Sequence, residues 1–196
     1  MKIAFGFDLH NTILLSNDAW IDALSECSEE KYKNFIRHEV YNKTSRKMIA
    51  EQIGADYIEV LELYHSKVKP DTSWVYFLQS LRESYPLYLI SASNRKKVYR
   101  DLKGWNGQQF FDEILTTESF NKSSKEDWDA FLKKHSLDLL IYIGNDVDED
   151  VVCHPNVIPL LNGNFLKTLE KMELLKKRGD ERCERKDPFV GKLWDR

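Results

Sequence analysis

Two segments of the chain place carboxylates shortly after an apolar run, a position from which they could act in catalysis or bind a metal ion. In "FGFDLHNT", Asp8 follows an apolar run and His10 comes two positions later. In "IYIGNDVDED", Asp146 and Asp150 follow a second apolar run. A carboxylate can attack an electrophile, and paired carboxylates can bind a hard divalent cation. The two segments therefore predict either a nucleophile, a metal site, or both.

A hydroxyl group and two lysines occupy similar places in the sequence. Ser91 ends the apolar run "PLYLIS", and Lys122 and Lys125 come shortly after "EILTT". Serine and lysine side chains can hold phosphate oxygens, while carboxylates hold Mg²⁺, which prefers oxygen ligands. Taken together, these residue types predict a site for a phosphoryl group and Mg²⁺.

Such a site requires elements that bring distant residues together. Five short apolar runs predict buried strands, and helical patterns lie between them. Alternating strands and helices favour a three-layer α/β fold with a parallel sheet covered on both faces. The carboxyl ends of parallel strands meet at one edge, where ligands bind. The runs are "KIAFGF" (2–7), "PLYLIS" (86–91), "EILTT" (113–117), "LLIYIG" (139–144) and "VIPLL" (157–161).

Residues 16–69 interrupt this alternation, because they contain several helical patterns and no convincing strand. We interpret them as a helical cap inserted after the first strand, and residues 1–15 and 70–196 as the α/β core. Within the insert, Thr44 or Ser45 could cap the third helix and Gly54 could end it. A closing helix is expected over 165–179, followed by a charged segment.

Composition narrows the classes of function. Of the 196 residues, 42% are hydrophobic and 31% charged, which is ordinary for a soluble globular protein, and the net charge is −3. This charge gives no reason to expect nucleic acid or an anionic membrane as partner. No apolar run approaches a membrane span and no leader precedes the first strand, so we expect a cytoplasmic protein. The three cysteines suggest neither disulfides nor zinc.

Four motifs in order, "DLHNT", "LISAS", a lysine before a helix, and "YIGNDVDED", resemble those of the haloacid dehalogenase superfamily. Its members are mostly Mg²⁺-dependent phosphatases with an aspartate nucleophile, and the insert resembles the small helical cap of that superfamily. A response-regulator receiver also phosphorylates an aspartate, but its metal-binding acids gather near the start of the chain. The order of motifs here does not fit a receiver.

The resemblance implies roles for the residues that match. Asp8 would attack phosphorus and form an aspartyl-phosphate, and Ser91 would hydrogen-bond a phosphate oxygen. Lys125 is the favoured lysine for neutralising charge on the phosphate and Asp8, and Lys122 is the competitor because spacing does not decide between them. Thr12 would steady the nucleophile loop.

The same resemblance implies a metal site. Asp8 and Asp146 would bind Mg²⁺, and the backbone carbonyl of His10 would supply a further oxygen. Asp150 belongs to the same set as a support of the metal shell.

His10 departs from the resemblance, since phosphatases of the superfamily usually carry a second aspartate there. That aspartate protonates the leaving oxygen and then activates water. Histidine can do both, because its ordinary pKa of about 6.5 allows proton exchange near neutrality. We therefore expect His10 to be the general acid and base.

The leading hypothesis is a Mg²⁺-dependent phosphohydrolase acting on a small phosphorylated metabolite. One alternative is an enzyme of the same fold that cleaves a phosphonate or halide or transfers phosphate; a phosphonate hydrolase would need a Schiff-base lysine, for which Lys43, Lys47 and Lys67 are available. A second alternative is a phosphate-binding regulatory protein that lost turnover. The oligomeric state is not predicted.

Overall fold

The computed structural model describes residues 1–150, 152 and 154–161. In this part of the chain the predicted α/β fold is confirmed. A five-stranded, all-parallel sheet has the strand order β3-β2-β1-β4-β5. The strands are β1 (Ile3–Phe7), β2 (Leu87–Ile90), β3 (Glu113–Leu115), β4 (Leu139–Gly144) and β5 (Val157–Leu161). All five predicted runs form strands, whereas the predicted helix over 165–179 lies outside the described residues.

Helices cover both faces of the sheet, and successive side chains of β1 point to opposite faces and so contact helices on each side. Phe7 contacts Trp74 on one face, with ring centroids 6.1 Å apart. Ala4 belongs to the cluster on the other face, which contains Trp128 and Phe131. The helices that follow the insert are α5 (Thr72–Arg82), α6 (Arg95–Lys103), α7 (Lys125–His135) and the short α8 (Val147–Asp150).

The helical insert forms its own apolar cluster. Its helices are α1 (Ser16–Glu26), α2 (Lys33–Tyr41), α3 (Arg46–Ile53) and α4 (Tyr57–Lys67). Trp20 and Tyr64 stack with ring centroids 4.0 Å apart, so α1 packs on α4. Gly54 ends α3 with φ 73°, a left-handed conformation that glycine adopts at no steric cost, as predicted. Ser45 takes the N-cap position of α3 without a side-chain hydrogen bond.

The central position of β1 determines where the candidate site lies. It pairs with β2 on one side and β4 on the other, and Phe5 is in register with both Leu87 and Ile141. The loops after β1, β2 and β4 therefore leave the sheet side by side. Among the described residues, no helix combines the length and apolar character needed to cross a bilayer.

Candidate active site

Asp8 is the first residue after the central strand. Its backbone N–H donates to the carbonyl of Ile143 at 2.8 Å, which extends the pairing of β1 with β4 by one step. The residue is only 7% exposed. Burial raises the pKa of the Asp8 carboxyl, and the nearby Lys122 ammonium opposes that rise. Asp8 is therefore a shielded carboxylate at the edge where the strands converge.

The loop after Asp8 turns sharply at Asn11, which has φ 59°. Asparagine tolerates this left-handed conformation better than most residues. Its side-chain carbonyl accepts hydrogen bonds from the hydroxyl of Ser16 and the backbone N–H of Asn17, both at 2.7 Å. Asn11 thus connects the loop after β1 to the start of α1.

Lys122 is the lysine that reaches Asp8. Its Nζ donates to Oδ1 of Asp8 at 2.8 Å and to Oδ1 of Asp150 at 2.7 Å. The side chain is 6% exposed. Burial acts to lower the pKa of Lys122, but the two carboxylates raise it above its ordinary value, so the ammonium stays charged.

This placement corrects the preference for Lys125. Ser124 caps α7 by accepting a hydrogen bond from the backbone N–H of Asp127 at 3.1 Å, which makes Lys125 the first residue of the helix. Lys125 is exposed there, and its charge acts on Asp129. Lys122 stays in the loop, where its carbonyl accepts a hydrogen bond from the indole N–H of Trp128 at 2.7 Å.

Asp150 organises the loop after β4. Its Oδ2 accepts the backbone N–H groups of Asn145 and Asp146 at 3.0 and 2.9 Å. Its Oδ1 accepts Lys122 and the hydroxyl of Tyr142, the latter at 2.9 Å. Both oxygens are therefore engaged, so Asp150 fits a supporting position and not that of a direct metal ligand.

Gly144 permits this arrangement. A Cβ atom built at Gly144 would lie 2.3 Å from both Cγ and Oδ2 of Asp150. Real Cβ atoms do not approach other atoms so closely, so the Asp150 side chain occupies space that only a glycine leaves open.

Asp146 and Asn145 connect the same loop to other parts of the protein. The Asp146 carboxylate forms an ion pair with Lys43, which lies between α2 and α3 of the helical insert. The Asn145 side chain accepts a hydrogen bond from the Thr12 hydroxyl at 3.1 Å. Thr12 therefore links the loop after β1 to the loop after β4.

Ser91 lies at the end of β2, buried at 2% exposure. Its backbone N–H donates to the carbonyl of Leu115 at 3.0 Å, and its Oγ accepts the backbone N–H of Ser93 at 3.2 Å. The Ser93 hydroxyl lies 3.4 Å from Nδ1 of His10. The loops after β1 and β2 therefore meet at the His10 ring.

The other nitrogen of His10 faces α6. Nε2 lies 3.0 Å from Oδ2 of Asp101, whose side chain is fully buried. Oδ1 of Asp101 accepts from Nε of Arg100 at 3.2 Å and lies 3.7 Å from Nδ1 of His65 on α4. Burial acts to raise the pKa of Asp101, but His10 and Arg100 hold it below its ordinary value.

Asp101 belongs to no sequence motif, but its position on the apolar face of a helix is a signal in the sequence. Val98, Asp101 and Leu102 stand at i, i+3 and i+4 and are the buried residues of α6. A carboxylate within the apolar face of a helix must find a partner, because an unpaired buried charge is costly. On the same helix, burial lowers the pKa of Lys97.

The residue types at this site fit Mg²⁺. Among the described residues, no three acidic, histidine or cysteine side chains already converge as a metal cluster. Mg²⁺ needs only one or two carboxylates, because it keeps several water ligands. Within the part of the chain that the structure describes, no hydrogen bond reaches Oδ2 of Asp8. The Asp146 carboxylate pairs with the exposed Lys43 and accepts the backbone N–H of Asp148 at 3.0 Å. Asp8 and Asp146 thus offer carboxylate oxygens of the kind that Mg²⁺ prefers.

The parallel sheet, with a buried aspartate after its central strand and a buried lysine beside that aspartate, defines an α/β protein with a candidate active site at the carboxyl ends of its strands. A family model described as haloacid dehalogenase-like hydrolase matches residues 6–153. This match spans more than half of the chain, so the chain belongs to that family.

Solved structures show the same fold. A hydrolase from Streptococcus pneumoniae TIGR4 superposes with a TM-score of 0.68 at 14% identity, covering 87% of this chain and 97% of that one. YfnB from Bacillus subtilis, bound to magnesium, gives 0.62 at 16% identity with the same coverage. A predicted phosphoglycolate phosphatase from Haemophilus somnus 129PT gives 0.57 at 15% identity, covering 86% and 97%. The search of curated proteins found no significant match.

Proposed function

We propose that this hydrolase is a Mg²⁺-dependent phosphatase that acts on a small phosphorylated metabolite through an aspartyl-phosphate on Asp8. The observation that supports this most directly is the contact of Lys122 with both Asp8 and Asp150. A buried ammonium beside the attacking carboxylate can neutralise the charge of an incoming phosphate. The phosphatase named above supports the same class of substrate.

In the first step, a carboxylate oxygen of Asp8 attacks phosphorus and the bond from phosphorus to the ester oxygen breaks. The leaving oxygen takes a proton from His10. In the second step His10 accepts a proton from water, the oxygen of that water attacks phosphorus, and the bond to Asp8 breaks. Inorganic phosphate leaves, and Asp8 and His10 return to their starting states.

The site also supports a role for Mg²⁺. Asp8, Asp146 and the His10 carbonyl would hold the ion, which when bound supplies positive charge close to the phosphate. Lys122 and Ser91 would hold phosphate oxygens, and Asp150 would keep the Asp146 loop in place through its bonds to backbone N–H groups. The magnesium in YfnB agrees with this proposal.

The helical insert, residues 16–69, would act as the cap. Lys43 and His65 of the insert reach Asp146 and Asp101 of the core. A segment that contacts both sides of the site can close over it and exclude water during the attack.

Phosphonate hydrolysis through a Schiff base receives less support. That reaction requires a lysine that loses its proton readily. Lys43 is paired with Asp146 and Lys67 with Glu26, and these hydrogen bonds raise the pKa of both lysines. Lys47 lies 3.9 Å from Glu51. For Lys43 and Lys67, the carboxylate neighbour therefore favours the charged form.

The test is hydrolysis of p-nitrophenyl phosphate with and without Mg²⁺. We expect turnover that depends on Mg²⁺ and falls about 10³-fold or more in Asp8→Asn, because the amide is a poor nucleophile. Asp22→Asn, at an exposed position on α1, is the matched control and should retain the wild-type rate. Equal rates for Asp8→Asn and wild type would exclude Asp8 as the nucleophile.

A further inference from the structure

The contact between His10 and Asp101 determines which nitrogen of the imidazole carries hydrogen. An ionised carboxylate only accepts hydrogen bonds, so Nε2 of His10 must be the donor in the 3.0 Å contact with Asp101. In the neutral ring, Nδ1 then keeps its lone pair. Nδ1 faces the loop after β2, where the Ser93 hydroxyl lies 3.4 Å away.

The burial of Asp101 and the packing of α6 fix the position of the carboxylate that contacts His10. Its side chain is fully buried, and Val98 and Leu102 anchor the same face of α6 in the core. The N-terminus of the helix is capped by Asn94, whose side chain accepts the backbone N–H of Lys97 at 2.9 Å. The carboxylate of Asp101 therefore belongs to a well-anchored helix and not to a loop.

We propose that Asp101 is a positioning residue, which holds the Nε2–H tautomer of His10 and leaves Nδ1 as the nitrogen that exchanges protons with substrate and water. The catalytic part of this proposal rests on the proposed function. This role explains how His10 can act as general acid and base at a position where phosphatases of the family usually carry an aspartate. The Asp101 carboxylate, behind the imidazole ring, selects the tautomer and the orientation of His10. Asp101 thus acts by orienting the His10 ring and does not itself contact the substrate.

The tautomer can be measured without any activity assay. Imidazole ¹⁵N NMR of the histidine-labelled protein, at about pH 8 where ordinary imidazoles are neutral, distinguishes Nε2–H from Nδ1–H. The His10 signals are identified by their loss in His10→Asn. We expect wild-type His10 to show Nε2–H, with its Nδ1 unprotonated. An Nδ1–H signature for His10 in the wild-type protein would overturn the proposal.

The Asp101→Asn variant tests whether Asp101 determines the tautomer of His10. An amide can also donate to Nε2, so we expect the Nε2–H preference of His10 to be lost. The matched control is Asp112→Asn, because Asp112 is likewise a hydrogen-bonded carboxylate but lies away from His10. It accepts the backbone N–H of Leu87 at 2.9 Å, at the start of β2. An unchanged His10 tautomer in Asp101→Asn would overturn the proposal.

Kinetics then separate positioning from a general structural role. We expect kcat of Asp101→Asn to fall about 10- to 100-fold with KM changed less than about threefold, because acid–base assistance is lost and binding is not. Adding Asp101→Asn to His10→Asn should cause little further loss, since the two act as one unit. Fully multiplicative losses would contradict the proposal. If no phosphatase activity exists at all, the proposed function fails, while the NMR result still decides the tautomer.

Discussion

At the residue scale, the two candidate lysines differ in their relation to one helix. Lys122 stands in the loop before α7 and contacts Asp8 and Asp150, while Lys125 is the exposed first residue of α7. A phosphate held at Asp8 would therefore meet the ammonium of Lys122. Substituting each lysine in turn therefore tests the proposed phosphate-binding role of Lys122 without changing Asp8.

We expect Lys122→Met to lower kcat for p-nitrophenyl phosphate by about 10²- to 10³-fold, because the charge that stabilises the transition state is removed. Lys125→Met, the matched control, should stay within about twofold of wild type. Thermal unfolding of both variants shows whether Lys122→Met is still folded, since it leaves two buried carboxylates without their cation. A larger loss of kcat in Lys125→Met than in Lys122→Met would contradict the assignment.

The sequence contained a signal that decides between the lysines, but spacing between motifs alone did not reveal it. The residues "SKED" (124–127) begin α7 with a serine N-cap, and Ser124 accepts the backbone N–H of Asp127. Recognising this cap places Lys125 inside the helix and leaves Lys122 in the loop. The Lys122 contact with Asp150, by contrast, depends on the path of two loops and has no local signature.

At the element scale, the strands could be predicted because burial on both faces of a parallel sheet produces short continuous apolar runs. This pattern predicted β1, β2 and β4, and therefore also the positions of Asp8, Ser91 and the acidic residues after β4. The role of α6 could not be predicted in the same way. Asp101 contacts His10 only because α6 packs beside the loop after β1. The two residues are 91 positions apart in the sequence, so no local pattern predicts their contact.

The turn from β4 to α8 gives a prediction at this scale. In Gly144→Ala, the new methyl group would overlap Asp150, which would have to give up its hydrogen bonds to the backbone N–H groups of Asn145 and Asp146. We expect a loss of about 1–3 kcal/mol in the free energy of unfolding, measured by urea denaturation, from overpacking alone. We also expect kcat to fall at least about tenfold, since Lys122 loses one of its two partners.

Gly104→Ala is the matched control for this variant. Gly104 ends α6 with φ −59°, and a Cβ there would meet nothing within 4 Å. Its free energy of unfolding should change by less than about 0.5 kcal/mol, as for most surface substitutions. Equal stability of Gly144→Ala and Gly104→Ala would show that Asp150 does not need the space above Gly144.

At the scale of the whole molecule, the helical insert contacts the core through one ion pair and one contact between a histidine and a carboxylate. His65 of the insert approaches Asp101, and Lys43 of the insert is paired with Asp146. Asp146 is also a proposed oxygen donor to Mg²⁺. The same carboxylate therefore serves the contact between insert and core and the proposed metal site, which implies that the two compete.

This competition predicts that Lys43→Gln binds Mg²⁺ more tightly than wild type does. Lys43 has a side-chain exposure of 64%, and an exposed ion pair contributes up to about 1 kcal/mol, so the gain should not exceed about fivefold in Kd. Isothermal titration calorimetry of the metal-free proteins measures this directly, without substrate. Lys47→Gln removes the same charge from the insert at a residue that pairs with Glu51, and it should leave Kd unchanged. Equal or weaker Mg²⁺ binding by Lys43→Gln would mean that Lys43 and the metal do not share Asp146.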